Sequence, residues 1–249
     1  MAKYHRSGHS SMVPCMVRAA LHTIGFDADD TLWLNEVYFR LTEERFAALL
    51  ADYADPADLG ARLLAAERRN LGHYGFGVKG FVLSMIESAI EVTEARVPAR
   101  VIAELIAAGR EMLEQPIELL PHARAAVEAL APDHQILLIT KGDLLDQERK
   151  LAQSGLGELF TGVEIVSDKT APVYAAIFAR HGTPPERAMM VGNSLKSDVL
   201  PALAVGAYGV HVPHVQTWAL EHADAPVDDP RFFALENLEA LPDLVKTMA

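Results

Sequence analysis

With 249 residues, half of them apolar, the chain can bury a sizeable core, either as one large domain or as a core with a smaller insert. A formal charge of −12 argues against a nucleic-acid partner, which would require a basic face. A single cysteine, Cys15, excludes an intramolecular disulfide framework and a cysteine-rich zinc site, and no apolar run approaches the roughly 20 residues that span a bilayer.

The expectation is therefore a cytoplasmic protein without a membrane partner. Residues 1–20 read as an irregular leader rather than a signal peptide, because Pro14 and Arg18 interrupt its only apolar stretch. "HTIGFD" follows as a short buried strand that stops abruptly on a polar turn. Three carboxylates, Asp27, Asp29 and Asp30, crowd that turn within four positions. Like charges so close repel one another, so the cluster needs a cation or a structural duty; for Asp30 alone, a capping role is the expectation.

From 37 to 114 the character changes. "VYFRLTEERFAALLADYA", "PADLGARLLAAERRNL", "FVLSMIESAIEVTEA" and "ARVIAELIAAGREML" all carry apolar residues at helical spacing, and nothing there reads as a strand. After Pro116 helices and strands alternate. "HARAAVEALA" is a helix, "HQILLIT" a strand, and "DLLDQERKLAQSG" a helix stopped by Gly155. "GVEIVS" is a strand, "APVYAAIFARHG" a helix, "RAMMVGN" a strand, "SDVLPALAVG" a helix and "AYGVHVP" a strand; "ADAPVDDPRFF" reads as surface loop. Such alternation implies an α/β fold, a doubly wound parallel sheet covered on both faces. The expected layout is a core of 21–36 and 115–249, interrupted by a helical cap of 37–114.

Two strings look functional and are set aside. "GFGVKG" fits the dinucleotide-binding pattern, but that motif follows a strand and here a helical pattern precedes it. It is expected to be a substrate-facing loop of the insert, with Lys79 its candidate binding side chain. "HVPH", with His211 and His214, has no further ligand nearby and reads as a loop after a strand.

Ligands of open parallel sheets collect beyond the carboxyl ends of the strands. Asp27 and Asp29 end the first strand, Thr140, Lys141 and Gly142 the second, and "GNSLKSD" a later one, with Asn193, Ser194 and Asp198. Lys169 lies just ahead of the helix that leads into that later strand. Four separated segments thus deliver acids, a hydroxyl, an amide and a lysine to one edge.

The order D-x-D-x-T, strand-ending Thr, Lys and G-N-S-x-x-S-D resembles the haloacid dehalogenase-like hydrolase superfamily over about 23–212. The helical insert stands where that superfamily carries its first type of cap, and the fold implied is its Rossmann-like core. The resemblance implies that Asp27 is a nucleophile forming an aspartyl-phosphate and that Asp29 is general acid, then base. It further implies Mg²⁺ held by Asp27, the Asp29 carbonyl, Asn193 and Asp198. Thr140, with the neighbouring amides at Lys141 and Gly142, would grip the phosphoryl oxygens, and Lys169 would offset their charge. Dehalogenases and phosphonate hydrolases need no acid at the second position, so Asp29 favours a phosphate monoester. Phosphomutases share all four motifs. Asn193 stands where many relatives carry aspartate, so a catalytically degenerate binder is the rival from another class. The expected partner is a small phosphorylated metabolite, bound by a monomer or homodimer.

Overall fold

Six strands form one sheet: β1 (Thr23–Phe26), β2 (Gln135–Lys141), β3 (Gly162–Val166), β4 (Ala188–Gly192), β5 (Tyr208–His211) and β6 (Phe232–Ala234), in the order β3-β2-β1-β4-β5-β6. Every neighbouring pair is parallel. The computed structural model describes residues 20–248, so the leader, apart from Ala20, and Cys15 lie outside the described residues.

Side-chain alternation explains why β1, β2 and β4 read as continuous apolar runs. Ile24 pairs with Ile136 and Met189, and with Phe26, Leu138 and Val191 they point into one hydrophobic cluster. Leu137, Ile139 and Met190 point the other way, into a second. Both faces are therefore buried, and every residue of β1 and β4 is inaccessible.

Between β1 and β2 run four helices, α1 (Glu36–Leu49), α2 (Pro56–Tyr74), α3 (Val78–Val92) and α4 (Ala99–Glu114). They share a separate cluster that includes Phe46, Leu59, Leu63, Phe81, Met85 and Leu105. Asp55 caps α2 by accepting the Ala57 N–H at 3.0 Å, with Pro56 in the first turn, where a missing N–H costs nothing. The sheet is covered on one face by α5 (Ala123–Leu130) and α9 (Leu241–Lys246), whose Val127 and Val245 join the first cluster. On the other face lie α7 (Ala171–Arg180) and α8 (Leu200–Ala204), whose Ile177 and Ala202 join the second. Helix α6 (Leu144–Ser154) follows β2 and ends at Gly155, whose φ of 65° is the left-handed conformation of a helix stop.

Three local expectations change. The glycine-rich string is a loop only over 75–77, since α3 already begins at Val78 and Lys79 stands in its first turn. "SDVLPALAVG" is not one α-helix: a π-helical turn, Leu195–Val199, precedes α8. The stretch read as "ADAPVDDPRFF" loop contains the start of β6, an edge strand too short to show a period.

Candidate active site

The order 3-2-1-4-5-6 reverses between β1 and β4, which leaves a crevice beyond their carboxyl ends. The chain stays in register one residue past β1, where the Asp27 N–H donates to the Val191 carbonyl at 2.9 Å. It then turns sharply. Asp30, at φ 59°, accepts from the backbone N–H groups of Asn35 and Glu36 at 2.9 Å and so caps α1. Burial and the adjacent Asp29 push the Asp30 carboxyl up to about 6, against those backbone donors.

Asp27 is buried and doubly held. One oxygen accepts the Thr31 hydroxyl at 2.8 Å, and the other accepts the Lys169 ammonium. Lys169 also donates to Asp198 at 2.7 Å, whose second oxygen accepts the Ser194 N–H at 3.0 Å. Asp198 can reach this point because the π-helical turn after β4 turns it inward and because residue 192 is glycine. A Cβ there would lie 2.2 Å from the Asp198 carboxylate. Two buried carboxylates thus face one ammonium. Burial, and then the charge of Asp198, push the Asp27 carboxyl up to about 7 against the pull of Lys169. Burial alone would push Lys169 down, but the charges of Asp198 and Asp27 hold it above the ordinary lysine range.

Asp29 is gripped differently. It accepts from the Trp33 indole at 2.7 Å, the Gln147 amide at 2.8 Å and the Lys150 ammonium at 2.9 Å. Burial opposes its ionisation, but the Lys150 charge and these hydrogen bonds outweigh that and hold its carboxyl below the usual range.

These groups line a cleft whose opposite wall is formed by α1, α2 and α3. Thr140, buried at the end of β2, and Asn193 both line it. The Asn193 N–H donates to the Thr31 hydroxyl oxygen at 3.1 Å, and its carbonyl lies 3.1 Å from His211 Nε2. The Lys141 ammonium pairs with Glu221 at 2.6 Å and sits 4.0 Å above the Phe76 ring. The Gly142 N–H is committed to the Val166 carbonyl at 3.4 Å. Lys79 is not among the residues lining the cleft: both Asp143 oxygens hold its ammonium at 2.9 Å. His214 bonds the Gln216 carbonyl at 2.9 Å and does not pair with His211 about a common centre. Among the described residues, no group of three His, Cys, Asp or Glu side chains is arranged to hold a metal.

The structure therefore brings Asp27, Asp29, Thr140, Lys141, Lys169, Asn193 and Asp198 to one cleft and leaves Lys79 and Gly142 out of its lining. Thr31 completes the nucleophile's surroundings and was already visible as the last residue of D-x-D-x-T. Gln147 and Lys150 reach in from α6, Trp33 from the turn after β1, and Glu221 and Trp218 from the loop after β5. Helical periodicity marks Gln147 and Lys150 only as polar positions of a helix.

The model of the haloacid dehalogenase-like hydrolase family matches residues 21–206. A haloacid dehalogenase-like family hydrolase from Xanthomonas campestris is 44% identical, with 92% of each chain covered and a TM-score of 0.83. L-2-haloacid dehalogenase from Xanthobacter autotrophicus is similar in fold, at 18% identity, TM-score 0.65 and coverage of 92% of this chain and 100% of that one. So is the magnesium-bound YfnB protein of Bacillus subtilis, at 18% identity, TM-score 0.62 and coverage of 91% and 99%. No curated protein matches by sequence. With its four motifs meeting at the switch point of this sheet and the family model covering most of its length, the chain belongs to the haloacid dehalogenase-like hydrolases.

Proposed function

We propose that this hydrolase cleaves small phosphate monoesters through an aspartyl-phosphate on Asp27. The observation that carries the reading is Asp29, a second carboxyl in the cleft within reach of the charge on Asp27. Carbon–halogen cleavage has no use for it, because halide leaves without a proton. An alkoxide has to be protonated.

In the first half, an Asp27 oxygen bonds to phosphorus as the bond to the alcohol oxygen breaks, and Asp29 protonates that oxygen. In the second, Asp29 takes a proton from water as the water attacks phosphorus, and Asp27 is released. The Lys150 contact favours the carboxylate form of Asp29 that the second half needs. The charge of a bound phosphate works the other way and favours the acid that the first half needs. Thr140 and Lys169 face the transferred group, and Thr31 orients the nucleophile. The helices of 36–114 act as a cap that keeps bulk water from the intermediate.

The donor set fits Mg²⁺. Asp27 and Asp198 are hard oxygen donors with one ammonium between them, so the pair keeps an excess of negative charge. Mg²⁺ is commonly held by one or two carboxylates with waters and substrate phosphate, which does not require three acidic side chains. Asp27, Asp198, Asn193 and the Asp29 carbonyl would hold it, and bound there it supplies positive charge to the phosphoryl oxygens.

Haloacid hydrolysis is the second reading. It is favoured by the tie of Asp29 to Lys150, which would leave Asp29 a spectator. Release of phosphate from 4-nitrophenyl phosphate, with and without Mg²⁺, and of chloride from 2-chloropropionate separates the two. Mg²⁺-dependent phosphate release, lost in Asp27→Asn, is expected. Chloride release without phosphate release would overturn the proposal.

A further inference from the structure

One carboxylate outside the four motifs ties three separate segments of the core together. Glu221 stands in the loop after β5, in a short turn where its N–H donates to the Trp218 carbonyl at 2.9 Å, and its side chain is only 12% exposed. One oxygen accepts the Lys141 ammonium, from the end of β2, at 2.6 Å. The other accepts the Ser194 hydroxyl at 2.6 Å and the Ser197 hydroxyl beside it, both from the turn after β4. Lys141 closes the ring by donating to the Ser197 hydroxyl oxygen at 2.8 Å.

The same two serines shape the turn that presents Asn193 and Asp198. The Ser194 hydroxyl oxygen accepts the Ser197 N–H at 3.0 Å and so caps the π-helical turn, while the Ser194 N–H holds an Asp198 oxygen at 3.0 Å. A serine hydroxyl rotates to suit its partners, and a charged acceptor fixes its direction more firmly than a neutral one. Burial opposes the ionisation of Glu221, but the Lys141 charge and these hydrogen bonds outweigh it and hold the carboxyl below the usual range. A second tie runs beside the first, from the Lys196 ammonium to the Leu220 carbonyl at 2.7 Å. Glu221 bonds Lys141 and the serines rather than Asp27, Asn193 or Asp198, so its effect on the site passes through the turn.

We propose that Glu221 is a positioning residue for the metal-binding turn: through Ser194 and Ser197 it fixes Asn193 and Asp198 in the geometry that takes a hard divalent cation. This rests on the Mg²⁺-dependent phosphatase reading. Mg²⁺ demands near-ideal octahedral geometry, so a small displacement of the turn costs affinity.

The test titrates Mn²⁺, a hard cation of the same charge, into the substrate-free protein and follows the loss of the free-ion EPR signal. Glu221→Ala is expected to weaken Mn²⁺ binding by about 10-fold, the usual cost of losing a group that orients metal ligands, and Glu221→Gln several-fold. The Mg²⁺ concentration for half-maximal phosphate release should rise alike. Ser194→Ala should weaken Mn²⁺ binding too, and adding Glu221→Gln to it should cost little more, because both cut the same link. Should Glu221→Ala fail to fold, Glu221→Gln and Ser194→Ala, which nearly keep the shape, decide the matter. A lower Tm with an unchanged Kd for Mn²⁺ means a merely structural role and overturns the proposal. So do losses that multiply in the double variant, and so does a wild type that binds no Mn²⁺. If the wild type binds Mn²⁺ but releases no phosphate, the phosphatase reading fails by itself and the Mn²⁺ affinities of the variants still decide the role of Glu221.

Discussion

Asp198 illustrates how much a single side chain owes to its surroundings. The glycine at 192 makes room for it, the Ser194 N–H holds one oxygen, and Lys169 holds the other. Its loop partner Asn193 is neutral, so Asp198 brings the only side-chain charge of "GNSLKSD" that can attract Mg²⁺. Asp198→Asn should therefore raise the Mg²⁺ concentration for half-maximal activity by about 10-fold or more. Asn193→Asp should lower it, because an added carboxylate strengthens a hard-cation site. A Mg²⁺ titration of phosphate release at fixed ionic strength checks both, and an unmoved Asp198→Asn curve would put that aspartate outside the metal site. Thr31 is a subtler case, donating to Asp27 while accepting from the Asn193 N–H. Thr31→Val keeps the shape and removes both bonds. A loss of about 0.5–1.5 kcal/mol in stability by urea unfolding, with a fall in kcat, is expected.

At the scale of elements, the turn between α2 and α3 decides how the helices meet the core. Phe76, in the middle of that turn, lies under the Lys141 ammonium and stands edge-on to Trp218 at 6.1 Å, whereas Lys79 joins Asp143 in the open. Exposed pairs contribute about 0–1 kcal/mol, so Lys79→Ala should change neither stability nor KM appreciably. Phe76→Ala removes the contact that ties helix turn to core, and KM on an alkyl phosphate should rise several-fold while 4-nitrophenyl phosphate responds less. Steady-state kinetics on both esters checks the contrast, and equal responses would mean that the turn is merely structural. The same turn shows where sequence reading ran out. β1, β2 and β4 were legible because both faces are apolar, and Asp27, Asp29, Thr140, Lys169, Asn193 and Asp198 because polar residues at strand ends break those runs. Glycines at 75, 77 and 80 hid the first turn of α3, since only two of them take positive φ. β6 was hidden because three residues show no period. Lys150, Gln147 and Trp218 come from helix faces or loops, where a polar or aromatic residue carries no mark of what it will touch.

Across the whole molecule, the helical cluster and the sheet clusters bury their apolar residues separately, and the charge left over gathers where the two meet. That gathering should be visible in the pH dependence of stability. Glu36 is pushed up to about 8, first by burial, then by Asp30, with Glu43 and Glu67 adding and Arg40 opposing. Its unfolded counterpart titrates near the ordinary 4.5. Between those values the folded state holds the extra proton, so the contribution is fully present below about 4.5 and is lost as pH rises through about 8. Glu36→Gln is neutral at every pH and keeps an amide where the carboxyl stood. Relative to wild type, the variant should therefore gain stability on going from pH 5 to pH 8.5, by about 1–3 kcal/mol. Glu67→Gln should gain in the same direction over a narrower window, since Glu67 is pushed only to about 7. Thermal unfolding of the three proteins at both pH values measures this, as a Tm difference that widens by several degrees toward alkaline pH. A difference that stays constant, or that narrows, would mean that Arg40, 3.6 Å from Glu36 and from Glu43, outweighs burial and keeps these carboxyls ionised.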